Sequence, residues 1–208
     1  MCWNEPVSWT TLGIGTAVNA FNVVKYNDPL LNRITLLIQW LLLMQLFEAL
    51  AWRDQECGKL NEFATNGALI ANFTQPIVVF LAFMINNNDV SDYNKSVACF
   101  IILMYISYIM YSQNNSPNYS CINPTETCSH LELIWWRKTN GGVYVFTLFA
   151  LFALLIRPIK VALFVGGYIA IALVVSMLFY SCSVGSMWCW FVAFAPILLS
   201  IFWKKIRD

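Results

Sequence analysis

Seven long, mostly apolar stretches, set apart by polar or charged sequence, constrain this chain more than anything else in it. A helix crossing a bilayer needs roughly 20 such residues. On that rule the segments fall at about 8–26, 34–52, 62–85, 96–111, 142–156, 161–180 and 187–203. Hydrocarbon offers the backbone no hydrogen-bond partner, so only helices or closed barrels can cross it, and runs of this length select helices. The expected fold is therefore all-α: one domain, a polytopic (multi-pass) integral membrane protein with seven transmembrane helices. Charged residues make up only 11% of the chain, against about a quarter in soluble domains. A net charge of +1 gives no reason to expect nucleic acid, so membrane lipids are the partners that composition implies. Oligomeric state is left open. The start "MCWNEPVSW" lacks the basic and apolar regions of a cleavable signal peptide, and the first segment is expected to act as its own signal. That segment is rich in Gly, Thr and Asn. The fifth is short, with an alternative start near "LIWW".

Charge gives the orientation. With the N-terminus outside and the C-terminus inside, the inner side holds Lys25, Arg33, Lys95, Arg157, Lys160, Lys204, Lys205 and Arg207. The outer side keeps Arg53, Lys59, Arg137 and Lys138, which satisfies the positive-inside rule. The glycosylation candidates Asn114 ("NNS") and Asn118 ("NYS") then fall in a long outer loop, 113–140. Cys2, Cys57, Cys121, Cys128, Cys182 and Cys189 map to the same face and are disulfide candidates; Cys99 maps to the inner half. Cys121 with Cys128, bracketing "INPTET", is the local favourite among the possible pairings. No histidine ligand or paired Cys-x-x-Cys accompanies them, so no metal is expected. Trp3, Trp9, Trp52, Trp135, Trp136, Trp188 and Trp190 gather at the outer boundary and Trp203 at the inner one, as an aromatic belt would.

Inside the second segment, "LLLMQLFEALAW" carries an amide and an acid among leucines. Gln45 lies near mid-membrane and Glu48 about 7 Å further out, at 1.5 Å per residue. Gln39 projects elsewhere and is expected to make a separate contact. In the third segment Asn61, Thr65, Asn72 and Gln75 fall within roughly 80° of arc on a helical wheel. Asn72 and Gln75 come out at the depth of Gln45. Pro76 follows at once and removes the helical partner of a carbonyl near Asn72, a helix break. The fourth segment adds Tyr105, Tyr108 and Ser112 on one stripe. Polar groups are expensive against lipid, so these should face the bundle interior or a wet cavity. Glu48 is the only acid in a span core and no Lys or Arg shares its depth, so it is expected to be neutral at pH 7. Interhelical glue accounts for such a cluster; so does a site for a small solute or a proton.

"FTQPIVVFLAF" (73–83) and "FAPILLSIFW" (194–203) both place Pro-Ile inside an apolar run, and the second and sixth segments both open on a basic residue, Arg33 and Lys160. Two three-helix units joined by a fourth span would form a 3+1+3 parallel repeat, a plan that resembles the sugar-efflux and PQ-loop proteins. The Met-Cys-Trp start at 1–3, Ser8 with Trp9, and "QLFEALAW" at 45–52 resemble an uncharacterised family of small seven-span membrane proteins from large DNA viruses and microbes. That resemblance implies the architecture and draws Gln45 and Glu48 forward; the family has no established activity to transfer.

Several functions are excluded or disfavoured. The seventh segment lacks the lysine of a microbial retinal pigment, and His130 alone cannot serve a seven-span zinc hydrolase. No span core holds an Asp for a Ser–His–Asp set, and no span carries an arginine ladder. Neither enzyme activity nor a cofactor is expected. The expected function is a small-solute or ion transporter with Glu48 as the protonatable group, hydrogen bonds from Gln45, Asn72 and Gln75, and Pro76 as the bend. The alternatives are a structural or interaction protein (a scaffold or envelope component) and a seven-span receptor.

Overall fold

The computed structural model describes residues 4–85, 89–112, 141–181 and 183–207, and among them nine α-helices and no strand. They are α1 (Glu5–Tyr26), α2 (Pro29–Arg53), α3 (Lys59–Phe73), α4 (Gln75–Met84), α5 (Asp92–Ser112), α6 (Gly141–Leu155), α7 (Ile159–Phe179), α8 (Val184–Val192) and α9 (Ala195–Arg207). Each expected segment coincides with one helix or with a bent pair. The third is divided into α3 and α4 by a 43° bend, and the seventh into α8 and α9 by a 45° bend. By length and apolarity α2, α5 and α7 can each cross a membrane, and the two bent pairs raise the number to five. With 15 residues α6 is too short for that test, and the alternative start near "LIWW" lies outside the described residues. At 22 residues α1 is long enough, but its Thr, Gly and Asn content keeps it out.

The helix ends follow from local chemistry. Asn4 caps α1, its Oδ1 accepting from the Val7 N–H at 2.9 Å. Asn27 ends α1 in the left-handed region, with φ 45°, which its short amide tolerates better than most side chains. Asp28 then caps α2, accepting from the N–H groups of Leu30 (2.8 Å) and Leu31 (3.3 Å), with Pro29 in the first turn. Its other oxygen accepts from Arg207 Nε at 3.1 Å, which ties the end of α9 to the α1–α2 turn. Between α2 and α3, Asp54 accepts from the backbone N–H groups of Gly58 and Asn61. Asn61 Nδ2 in turn donates to the carbonyls of Ala51 (3.2 Å) and Asp54 (2.9 Å).

The centre of the bundle is α2, packed against α1, α3, α4, α8 and α9. Leu31, Ile34, Leu37, Ile38, Leu42 and Met44 are all buried along it. Around it, α4 packs on α6 and α9 packs on α1, so the second half of each bent pair lies against a helix distant in sequence. The exterior is apolar: Phe100, Phe146, Leu163, Ile171, Leu178 and Phe179 are all exposed. In water such a surface is an aggregation liability, and it is compatible with a surrounding of acyl chains.

The tryptophans divide differently from a belt. Trp188 and Trp203 are core residues, 3% and 2% exposed. Burial of Trp188 is made possible by the Ile169 carbonyl, which accepts its indole N–H at 2.9 Å.

Close packing of α1 gives a test. A Cβ added to Gly15 would stand 2.6 Å from a Leu42 methyl and 3.4 Å from the Ala193 carbonyl oxygen, whereas one added to Gly13 meets nothing within 4 Å. Gly15→Ala is expected to destabilise by about 1–3 kcal/mol, the range for an overpacked core. Gly13→Ala should be neutral or stabilising by up to about 1 kcal/mol. Thermal unfolding of the two variants in detergent micelles separates them.

Candidate solute and proton site at the first helix break

The site begins with the carbonyls that Pro76 leaves without helical partners. The helix stops at Phe73 and restarts at Gln75, and each freed oxygen near the break finds another donor. The Ile70 carbonyl keeps its helical partner, the Thr74 N–H (3.0 Å), and also accepts from the Thr74 hydroxyl (2.6 Å). The Ala71 carbonyl accepts from the Trp40 indole at 3.1 Å, and that indole also reaches the Thr74 hydroxyl at 3.0 Å. The Phe73 carbonyl accepts from the Tyr105 hydroxyl at 2.9 Å. Sequence places the break and Tyr105 but not their connection, which needs α5 folded against α4.

Bending turns Gln75 toward α6, where the Tyr144 hydroxyl donates to its Oε1. Tyr144 is enclosed by aromatic edges, 6.1 Å between ring centres to Phe73 and 5.7 Å to Trp188. It lies within electrostatic reach of Tyr105 and of the Cys189 thiol. Cys189 follows Trp188 on α8, which packs on α2, the helix of Glu48. Glu48 accepts from Gln45 Nε2 at 3.0 Å, and both residues make interactions beyond this pair. Helices α2, α3, α4, α5, α6 and α8 thus bring buried polar side chains to this part of the bundle, with Glu48, Gln45, Asn72 and Gln75 all 0% exposed.

The candidates play unequal parts. Asn61 and Thr65 hold the α2–α3 turn, Thr65 donating to Asn61 Oδ1 at 3.3 Å, and belong to the scaffold. Asn72 is different: among the described residues neither end of its amide has a partner, nor has Gln75 Nε2. A buried polar atom left this way costs about 1–3 kcal/mol, so these atoms are the natural contacts for a polar guest. The hydroxyl of Ser186 is also buried without a partner, on α8 one turn before Cys189. Sequence reading missed Tyr144, Ser186 and the central role of Cys189. A lone tyrosine in "GGVYVFTLFALFALL" was the available signal, since a phenol within so apolar a helix needs a partner.

One cysteine expectation is corrected. Cys189 is a free thiol, 3% exposed, because α8 turns it into the core toward Tyr144 and Glu48 and away from any outer loop. Cys99 is free and exposed, while Cys57 is not among the free thiols. Cys2, Cys121, Cys128 and Cys182 lie outside the described residues, as do Asn114, Asn118 and His130. Among the described residues no three His, Cys, Asp or Glu side chains come together as a metal site would need. No known family matches the chain, and neither does any curated protein or solved structure.

The Tyr144–Gln75 contact can be measured. Tyr144→Phe leaves the Gln75 amide with no partner at either end and should destabilise by about 1–3 kcal/mol. Adding Gln75→Leu removes the stranded amide, so the double variant should lose less than the sum of the single losses. Thermal unfolding of the four proteins closes the cycle.

Proposed function

We propose that this chain is an integral membrane protein with seven crossings, N-terminus outside, that moves a small polar solute or an ion. Glu48 is its protonatable group; Gln45, Asn72 and Gln75 supply hydrogen bonds, and Pro76 the bend. The observation that carries this reading is a buried carboxyl–amide group assembled at a broken helix, with unpartnered amide atoms turned inward. Transporters place their sites at such breaks, because an interrupted helix presents polar backbone at membrane depth. A carboxyl close to amides, a phenol and a thiol has the partners a proton needs when it moves on or off.

Support for the 3+1+3 repeat comes from the two breaks. Five residues before Pro76 the Ala71 carbonyl accepts from Trp40 of α2; five residues before Pro196 the Phe191 carbonyl accepts from the Tyr168 hydroxyl of α7. An aromatic donor on the preceding span thus braces the equivalent oxygen in both units. The reading includes glycosylation at Asn114 and Asn118 and disulfides on the outer face. Asn114→Gln with Asn118→Gln should abolish any mobility shift on deglycosylation if the loop at 113–140 is outside.

Accessibility tests the transporter reading. Gln45→Cys and Leu42→Cys sit one turn apart on α2 at positions that are both 0% exposed. A transporter opens a wet path to the first and not the second. In a Cys99→Ser background, a small charged thiol reagent added to intact membranes should label Gln45→Cys well above Leu42→Cys, and Glu48→Gln should change that rate's dependence on pH. Equally negligible labelling at both positions would overturn the reading and leave the polar group as interhelical glue in a scaffold.

A further inference from the structure

A second polar cluster lies at the other break. Gly15, Asn19 and Asn22 share one buried face of α1, spaced by four and three residues. At one end of the stripe Gly15 lies against both Leu42 of α2 and the Ala193 carbonyl. At the other end Asn22 Nδ2 donates to the Pro196 carbonyl at 2.8 Å. Between them Asn19 Nδ2 donates to the Thr35 carbonyl (2.7 Å) and to Gln39 Oε1 (3.2 Å). Gln39 spends its own amide nitrogen on the Thr16 hydroxyl at 3.0 Å. Every amide nitrogen here is therefore committed to an oxygen, which also fixes the identity of the remaining ends. Asn19 Oδ1 and Asn22 Oδ1 are enclosed and accept from nothing.

Among the described residues, none donates to either of these two oxygens. Nor does Lys25, whose ammonium stands over the rings of Phe21 and Tyr26, 5.1 and 4.9 Å from their centres. The break adds further oxygen. The C-terminal end of α8 brings the negative end of its dipole there. The Ile197 N–H, ordinarily the helical partner of the Ala193 carbonyl, goes instead to the Phe194 carbonyl at 3.1 Å.

We propose that Asn19 Oδ1 and Asn22 Oδ1, one turn apart on the buried face of α1, form the core of a site for a monovalent alkali cation beside α2 and the α8–α9 break. Neutral oxygens with no carboxylate among them suit a single charge, because sites for divalent ions add acidic ligands. Half-helix C-termini and unwound carbonyls are the groups that hold such ions at membrane depth. The site does not depend on the transporter reading; it stands on the oxygen imbalance at α1.

The test is thermal unfolding of the purified full-length chain in micelles, with lithium, sodium, potassium or rubidium chloride replacing choline chloride at constant ionic strength. One of these ions should raise Tm saturably over choline, as a ligand of the folded state does. Asn19→Ala and Asn22→Ala should each weaken that response by roughly ten-fold or more in concentration. Asn72→Ala, at the other polar group, should leave it unchanged. Should Asn19→Ala fail to fold, Asn22→Ala and the wild-type titration still decide. No response to any of the four ions overturns the proposal and leaves water as the occupant of the junction. A response that survives undiminished in Asn22→Ala overturns it as well.

Discussion

A carbonyl oxygen released from a helix in a dry interior must be given a new donor, and the arrangement around α2 follows that requirement. Two prolines release such oxygens, and the donors come from aromatic side chains on neighbouring helices: Trp40 and Tyr105 at the first break, Tyr168 at the second. An unsatisfied carbonyl is costly where no water can reach it, and these rings brace the breaks, the Phe191 carbonyl also accepting from the Phe194 N–H at 3.2 Å. Once bent, α4 carries Gln75 to Tyr144 and α9 carries Pro196 to Asn22. The positions of the polar clusters are consequences of how the breaks are braced.

The two clusters differ in chemistry. The one at the first break is mixed: a carboxyl, amides presenting both donors and acceptors, phenols, a thiol and a serine hydroxyl. It can accommodate a guest of either hydrogen-bonding character, as a polar solute requires. In the cluster along α1 the enclosed atoms left without a partner among the described residues are two amide oxygens, Asn19 Oδ1 and Asn22 Oδ1. Both are built with little formal charge, which limits the desolvation cost of burying them.

Much of the fold was legible in the sequence because its cause is local. Apolar length gave the helices, Pro76 gave the first bend, and wheel geometry placed Gln45, Glu48, Asn72 and Gln75 on inward faces. Asn61 was on the same wheel, yet it serves the α2–α3 turn; wheels report direction and not partners. What could not be read depends on contacts between distant segments. Tyr144 lies 69 residues from the Gln75 it binds, and the burial of Trp188 depends on a carbonyl of α7. Cys189 was assigned to the outer face by its position along the seventh segment, but the turn of α8 decides which way a thiol points. Trp40 carried a signal, as the one tryptophan far from either expected boundary.

The contacts from α8 and α9 back to α1 and its turn have an implication for biogenesis. Thr11, Asn22, Tyr26 and Asp28 meet Trp190, Pro196, Ser200 and Arg207 across 174 to 179 residues of chain. While a ribosome is still making the middle of the protein, those partners do not exist. Until then the amide, phenol and hydroxyl groups of the α1–α2 hairpin lack these partners. Closure of the bundle on α1 therefore follows synthesis of α8 and α9, whose arrival withdraws those groups together.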